Sequence, residues 1–218
     1  ERVQGYIQIL DEKSQRLRQL TADLVEASKI SSGNVKLDMQ VIDLVELVYQ
    51  TSGEFNEKFE QKELTIVTKL PKTAVLIRAD GRQLYRVIEN LYNNVAKYAL
   101  EKTRVYVDIA YVEEKVVFSI KNVSEHSLAR ENSNAGDLTE RFIRGDSSRT
   151  TEGSGLGLSI AKSLTVLMGG VFDIKVDGDL FKASITFPQY VDENSSNPKM
   201  EEPASEDDYE IEELEPEE

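Results

Sequence analysis

The 218-residue chain has no cysteine. That excludes disulfides and thiolate metal sites, and it is compatible with a reducing compartment. No apolar run approaches the ~20 residues of a membrane span, and no signal-peptide pattern stands at its start. The chain begins on Glu1 rather than Met, so the expectation is a fragment of something longer. Basic charge is also scarce: 26 Lys and Arg face 40 Asp and Glu, a net of −14. The imbalance is uneven, because residues 192–218 hold 13 of the acidic residues and one lysine, a net of −12, which leaves −2 for residues 1–191. A nearly neutral body has no basic surface with which to hold nucleic acid.

Two stretches organise what remains. The first runs from Arg82 to Leu100, with Leu84, Val87, Ile88, Leu91, Val95 and Leu100 on one stripe of an amphipathic helix. Asp80 stands before it as an N-cap candidate. Asn90, Asn94 and Lys97 share a second face, spaced four and three apart, with Tyr98 beside them. Asparagine suits a helix interior poorly, because its amide competes for backbone hydrogen bonds. An amide oxygen is a hard-cation ligand, a lysine is a point charge for phosphate, and a tyrosine offers an apolar ring face. Taken alone, the pattern fits a polar surface helix equally well. The second stretch, Glu152 to Met168, is a glycine-rich turn feeding a helix. Gly153, Gly155 and Gly157 let backbone approach an anion, and the helix start adds free N–H groups. It is neither a Rossmann fingerprint, since the preceding 146–151 is polar, nor a P-loop, since no Gly-Lys-Ser/Thr follows.

Together these stretches resemble the nucleotide-binding domain of sensor histidine kinases, a Bergerat-fold ATPase family. Asn90-Leu-Tyr-Asn-Asn-Val-Ala-Lys-Tyr98 is similar to its N box, Leu138 to Arg149 to its F box, and Gly153 to Lys162 to its G2 box. The resemblance covers about residues 1–190. It implies a site that binds ATP with Mg²⁺. Asn94 would give an amide oxygen to the metal, Asn90 would hold phosphate or metal-bound water, Lys97 would neutralise phosphate and Tyr98 would pack near the adenine. Gly153, Ser154, Gly155, Leu156 and Gly157 would receive the phosphates. Within the F box, Phe142 would pack the lid on the core. Arg144 or Arg149 would reach the γ-phosphate, with ordinary surface arginines as the competing reading.

Along the chain, residues 1–31 read as a helix with Val3, Ile7, Leu10, Leu17 and Leu24 near a 3.5 spacing, widened by Leu20 and Val25 and interrupted by Ser14 and Thr21. Such a helix needs a partner for its stripe. Its Lys13–Lys29 segment is similar to the second dimerisation helix of these kinases, which implies a homodimer. Asp43-Leu-Val-Glu46 reads as a capping box opening a helix to about Gln61. Leu64–Leu70 and Ala74–Ile77 read as strands, and 103–123 as a hairpin turning at Glu113-Glu-Lys115. A last hairpin, Val171–Val176 with Leu180–Phe187, turns at Asp177-Gly178. The long polar stretch 124–152 is placed where a lid belongs. The expected fold is an α/β (α+β) two-layer sandwich preceded by a long dimerisation helix. The expected division is 1–32 as that helix, 33–190 as the ATP-binding domain and 191–218 as a disordered acidic tail.

Two departures from the family pattern stand out. Where its G1 box usually carries Asp-x-Gly-x-Gly, this chain has Asn122-Val-Ser-Glu-His126. An asparagine oxygen still accepts a hydrogen bond from the adenine amino group, without the negative charge. The only histidine, His126, is followed by Ser127 and does not match a phosphoacceptor motif. The acceptor histidine is therefore expected upstream of Glu1. The implied function is the catalytic region of a sensor histidine kinase, passing phosphate to a histidine and then to a response-regulator aspartate. The implied setting is the cytoplasmic side of a membrane-anchored bacterial sensor, attached through upstream segments. The alternatives are a degenerate module that dimerises or docks partners, and a related serine kinase or ATPase.

Overall fold

A computed structural model describes residues 2–31, 35–125, 156–191 and 209–214. Helix α1 (Arg2–Ser31) leads into β1 (Gln40–Asp43), α2 (Leu44–Glu60), β2 (Thr65–Pro71), β3 (Leu76–Ala79) and α3 (Gly81–Tyr98). The hairpin β4 (Arg104–Val112) and β5 (Lys115–Val123) follows, then α4 (Gly157–Leu167), β6 (Val171–Asp177), β7 (Leu180–Pro188) and β8 (Tyr209–Leu214). Six strands form one sheet in the order β6-β7-β5-β4-β2-β8, while β1 and β3 pair separately. Among the described residues only β2 and β4 run parallel; the other neighbours are antiparallel. This is the expected α/β two-layer arrangement, with α2, α3 and α4 packed on the sheet.

Alternation along the strands sets the layers. Val105, Val107 and Ile109 of β4 are buried and stand opposite Asn122, Ile120 and Phe118 of β5, while Tyr106 and Lys121 share the open face. On that face Lys121 Nζ lies 2.9 Å from Asp108 Oδ2. Helix α3 closes the other face with Leu84, Val87, Ile88, Leu91, Tyr92 and Val95, all fully buried. Each such side chain contributes about 1.5–3 kcal/mol. Helix α2 adds Phe55 and Phe59, and the Phe59 ring stacks on Tyr92 with centroids 6.0 Å apart. The Tyr92 hydroxyl is 2.6 Å from Ser52 Oγ, so this buried phenol has a partner. At the surface of the same helix pair, Tyr85 Oη donates to Glu54 Oε2 at 2.5 Å. That bond, with burial, raises the Tyr85 pKa to about 12.

The caps lie where the sequence places them. Asp43 Oδ1 accepts from Val45 N at 3.0 Å and also from Val75 N at 3.1 Å, so one carboxylate starts α2 and fixes the approach to β3. Asp80 accepts from Gln83 N at 3.0 Å and from Asp38 N at 2.9 Å. Burial pushes the Asp80 pKa up, and the backbone N–H groups of Asp38, Gln83 and Arg82 outweigh it, so the carboxyl sits below its ordinary 3.8. Gly169, at φ +83°, ends α4 in the left-handed conformation that glycine tolerates best. Gly178, at φ +56°, turns β6 into β7.

One expectation needs correction. The acidic tail was expected to be disordered across 191–218, yet Tyr209–Leu214 is a strand paired antiparallel to β2. Composition argues against a packed core in such a tail, but an edge strand needs only backbone hydrogen bonds and a neighbour with a free edge. At the other boundary, Ser124, where the expected lid begins, is tied to the body of the domain. It bridges to Ala99, its N–H donates to Asp179 O at 2.8 Å, and Glu125 N donates to Tyr98 O at 2.9 Å. The rest of the expected lid lies outside the described residues. On α1 the stripe is as the spacing predicts: Ile7, Leu10, Leu17 and Leu24 are each 60% or more exposed. Near the far end of α1, Ala27 packs against the core.

Two stability predictions follow from this packing. A Cβ on Gly170 would lie 2.6 Å from Phe187 Cε1 and 2.9 Å from Thr165 Cγ2. Gly170→Ala is therefore expected to destabilise by about 1–3 kcal/mol, read as a lower urea midpoint at unchanged slope. Asp80→Ala is expected to cost about 1 kcal/mol at pH 7. Because the folded-state pKa of Asp80 is depressed, its contribution is complete above the unfolded-state value of about 3.9 and fades as pH falls through the folded-state value. Urea titrations from pH 7 to pH 3 should show the gap between wild type and variant closing on the acid side.

Candidate functional site

The candidate site is built on the face of α3 that does not enter the core. Burying the stripe from Leu84 to Val95 turns Asn90, Asn94, Lys97 and Tyr98 to one side, where all four are half-buried. Asn90 lies beside the start of α4. A Cβ on Gly157 would sit 2.9 Å from Asn90 Oδ1, so only the missing side chain permits this approach. The Asn90 amide donates from Nδ2 to Arg86 O at 2.9 Å, which holds its oxygen toward α4. Leu156 is the N-cap of α4 and supplies no side-chain cap. The first amides of a helix have no intrahelical acceptor and carry the positive end of its dipole.

Lys97 and Tyr98 occupy the last turn of α3. Lys97 Nζ lies 4.6 Å from the centre of the Tyr98 ring, a cation–π contact. A cation here also complements the helix C-terminus, a structural role compatible with phosphate binding. The end of the helix is held by a residue the local sequence pattern does not reveal. Lys62 Nζ donates to Lys97 O at 3.0 Å and to Ala99 O at 3.3 Å. Lys62 lies 35 residues away in sequence and belongs to no motif, so only the packing of α2 on α3 identifies it as a positioning residue.

The three asparagines of α3 divide. Asn93 is exposed and accepts from Lys58 Nζ at 3.2 Å, a surface tie between α2 and α3. Asn90 and Asn94 stay on the site face.

Asn122 comes from the sheet. Its residue is 2% exposed, on β5 between Val105 and Phe181 of the adjoining strands. Nδ2 donates to Val123 O at 3.0 Å. Oδ1 is buried with no hydrogen-bond partner among the described residues. An orphaned buried amide oxygen costs about 1–3 kcal/mol. Asn122 lies at the same end of the domain as Tyr98, because Leu100 N donates to Val123 O at 2.9 Å and Ala99 bridges Ser124.

The structure thus brings together Asn90 with Gly157, and the end of α3 carrying Lys97 and Tyr98 with the end of β5 carrying Asn122. Gly153, Ser154, Gly155, His126, Phe142, Arg144 and Arg149 lie outside the described residues. A face of amides and one lysine, a helix start with no side-chain cap from Leu156, and a buried acceptor without a partner among the described residues can in combination take metal-bound phosphate at one end and a base amino group at the other.

Comparison with known proteins identifies the family. The family model described as histidine kinase-, DNA gyrase B- and HSP90-like ATPase matches residues 79–198. The alginate biosynthesis sensor protein KinB of Pseudomonas aeruginosa is 29% identical over 164 residues, 75% of this chain and 27% of that protein. The sensor histidine kinase WalK of Bacillus subtilis is 24% identical over 186 residues, 84% of this chain and 30% of that protein. This chain therefore spans roughly a quarter to a third of the length of these relatives. Among solved structures, the Acinetobacter baumannii histidine kinase AdeS superposes with a TM-score of 0.67 at 16% identity, over 84% of this chain and 83% of that one. Full-length ShkA in complex with AMPPNP also gives 0.67, at 20% identity, over 85% of this chain and 38% of that one. These likenesses establish the shared fold. With the family model matching more than half of its length, the chain belongs to the histidine kinase-, DNA gyrase B- and HSP90-like ATPase family, and the domain it carries is of the sensor histidine kinase type.

Proposed function

We propose that this chain is the ATP-binding catalytic region of a sensor histidine kinase, which holds Mg·ATP so that the γ-phosphoryl group passes to a histidine on a dimerisation helix and from there to a response-regulator aspartate. The observation that carries the reading is the unpaired, buried Asn122 Oδ1 at one end of the site, with the close Asn90–Gly157 contact at the other. The orphan acceptor fits the adenine amino group, which donates where Asn122 has nothing to accept from. The residues present also fit a divalent cation: Asn94 offers an amide oxygen and Asn90 stands nearby on the same face. A divalent cation held by Asn94 would supply positive charge against the phosphates.

The protein's own groups act by position. Gly157 lets the phosphate chain approach the α4 amides, and Leu156 leaves those amides uncapped. Gly153, Ser154 and Gly155 extend that cradle on the family pattern. Lys97 adds positive charge, and Tyr98 offers a ring face to the base. Lys62 holds the end of α3 so that both stay in register. Arg144, in the F-box stretch, is the candidate for the γ-phosphate. The exposed stripe of α1 fits a homodimer through that helix. Among the described residues no helix is long and apolar enough to cross a membrane.

The second reading is a degenerate module that docks partners without turnover, favoured by Asn122 standing where the family usually has aspartate. Calorimetric titration of the full chain with ATP, with and without Mg²⁺, separates the two. Millimolar ATP without heat or a melting shift sinks the kinase reading. Label passing from γ-phosphate to a supplied histidine-bearing dimerisation domain supports it.

Two variants test the assigned residues. Asn94→Ala is expected to remove the Mg²⁺-dependent part of ATP affinity, about tenfold or more, at unchanged melting temperature. Asn122→Leu is expected to weaken ATP by about 1–2 kcal/mol, roughly fivefold to thirtyfold, with little change in the stability of the free protein, since it removes an unsatisfied buried oxygen together with the Nδ2 bond to Val123 O. A binding isotherm and a urea curve on the same sample check both halves.

A further inference from the structure

The edge of the sheet at β2 has a resident that the nucleotide site does not require. Tyr209–Leu214 lies along it antiparallel, from Ile66 opposite Leu214 to Pro71 opposite Tyr209. Without β8, β2 would be an edge strand reading Thr-Ile-Val-Thr-Lys-Leu, with one charge in six residues before Pro71. A long edge so lightly charged offers a row of unpaired N–H and C=O groups to any passing strand. Charge also fits: 62–72 carries Lys62, Lys69 and Lys72 against Glu63, while the tail is net −12.

Connectivity allows the pairing within one chain. β7 ends at Pro188 opposite Lys115, the start of β5, which lies beside the end of β4. Because β2 runs parallel to β4, its Pro71 end lies at the same end of the sheet as Pro188. The chain leaves β7 in that direction, with Gln189 bridging Ile77 and Tyr190 N donating to Leu76 O at 2.8 Å. The start of β8 is four strand spacings away, about 19 Å. The 17 residues of 192–208 reach up to ~55 Å.

The geometry points to the β2 edge as a strand-acceptor site for extended peptides that mix apolar and acidic residues, with Tyr209–Leu214 as its tethered resident. The specificity is of the β-augmentation kind: backbone bonds supply affinity, and charge selects the acidic partner. Tethering gives the resident an effective concentration on the order of millimolar, so a peptide in trans binds only when the resident is released.

The test uses the full chain with Ile211→Pro and Glu212→Pro together. Adjacent residues of an edge strand alternate in facing their N–H toward the neighbour, so two consecutive prolines remove a ladder bond in either register. Amide hydrogen exchange, read by NMR, is expected to speed up by about tenfold or more at the β2 amides that face β8, with β4 and β5 amides unchanged. A synthetic peptide of residues 205–218 is expected to restore protection of those β2 amides saturably in the variant. The same peptide should do nothing at equal concentration in the wild-type chain. Unchanged β2 exchange in the variant would overturn the proposal. So would equal rescue by a scrambled peptide in which two prolines interrupt the same composition, since that would reduce the contact to charge attraction alone.

Discussion

Burial of the α3 stripe is the constraint from which the other features follow. Six large side chains on one side of an eighteen-residue helix cannot leave the core without losing several kcal/mol. That fixes the rotation of α3 about its axis, and the rotation decides which residues become available for chemistry. Asn90, Asn94 and Lys97 lie on one side because Leu84, Val87, Ile88, Leu91 and Val95 lie on the other. Helix α4, anchored by Leu158, Ile160, Ala161 and Leu164, can then bring its start to Asn90 only through a residue with no Cβ. The close contact at Gly157 is thus a consequence of two packed helices.

A protein that leaves a buried amide oxygen without a partner gives up stability in its free state. Asn122 does this in the middle of a sheet, between strands whose other inward residues are Ile, Val, Phe and Ala. An aspartate there would carry a buried charge and would lose the Nδ2 bond to Val123 O. In the proposed site, asparagine would keep an acceptor for a donor ligand at a smaller cost to the free domain. The departure from the family pattern therefore reads as a shift in the balance between stability and affinity.

The two ends of the sheet are treated differently. At one end β6 pairs only with β7, and its exposed positions include Asp173, Lys175 and Asp177, charges that discourage a further strand. At the other end β2 carries little charge and is covered by β8. Covering an edge with a segment of the same chain protects it from pairing with other strands.

Periodicity, caps and turn residues were enough to read most of the elements. The helix at Arg82–Leu100 with its Asp80 cap, the N-cap at Asp43, and the hairpin turns at Glu113 and Gly178 all depend on residues within a turn or two of one another. Boundaries moved by one or two residues, as at β3, where cross-strand pairing with β1 rather than local composition sets the ends. The amide-and-lysine face of α3 was also legible, since one helix carries it. Three things were not. Asn93 joined Lys58 instead of the site, Lys62 became the clamp on the end of α3, and part of an acidic tail became an edge strand. Each depends on a partner 35 or more residues away, so its determinant is the packing of one element on another. Sequence by itself determined the helices, strands and which side of α3 is polar, because those follow from local backbone preference and the burial of apolar stripes. Tertiary structure alone decided that Gly157 would meet Asn90, that Asn122 Oδ1 would be left without a donor, and that β2 would take β8, because burial and strand pairing between distant segments have no local signature.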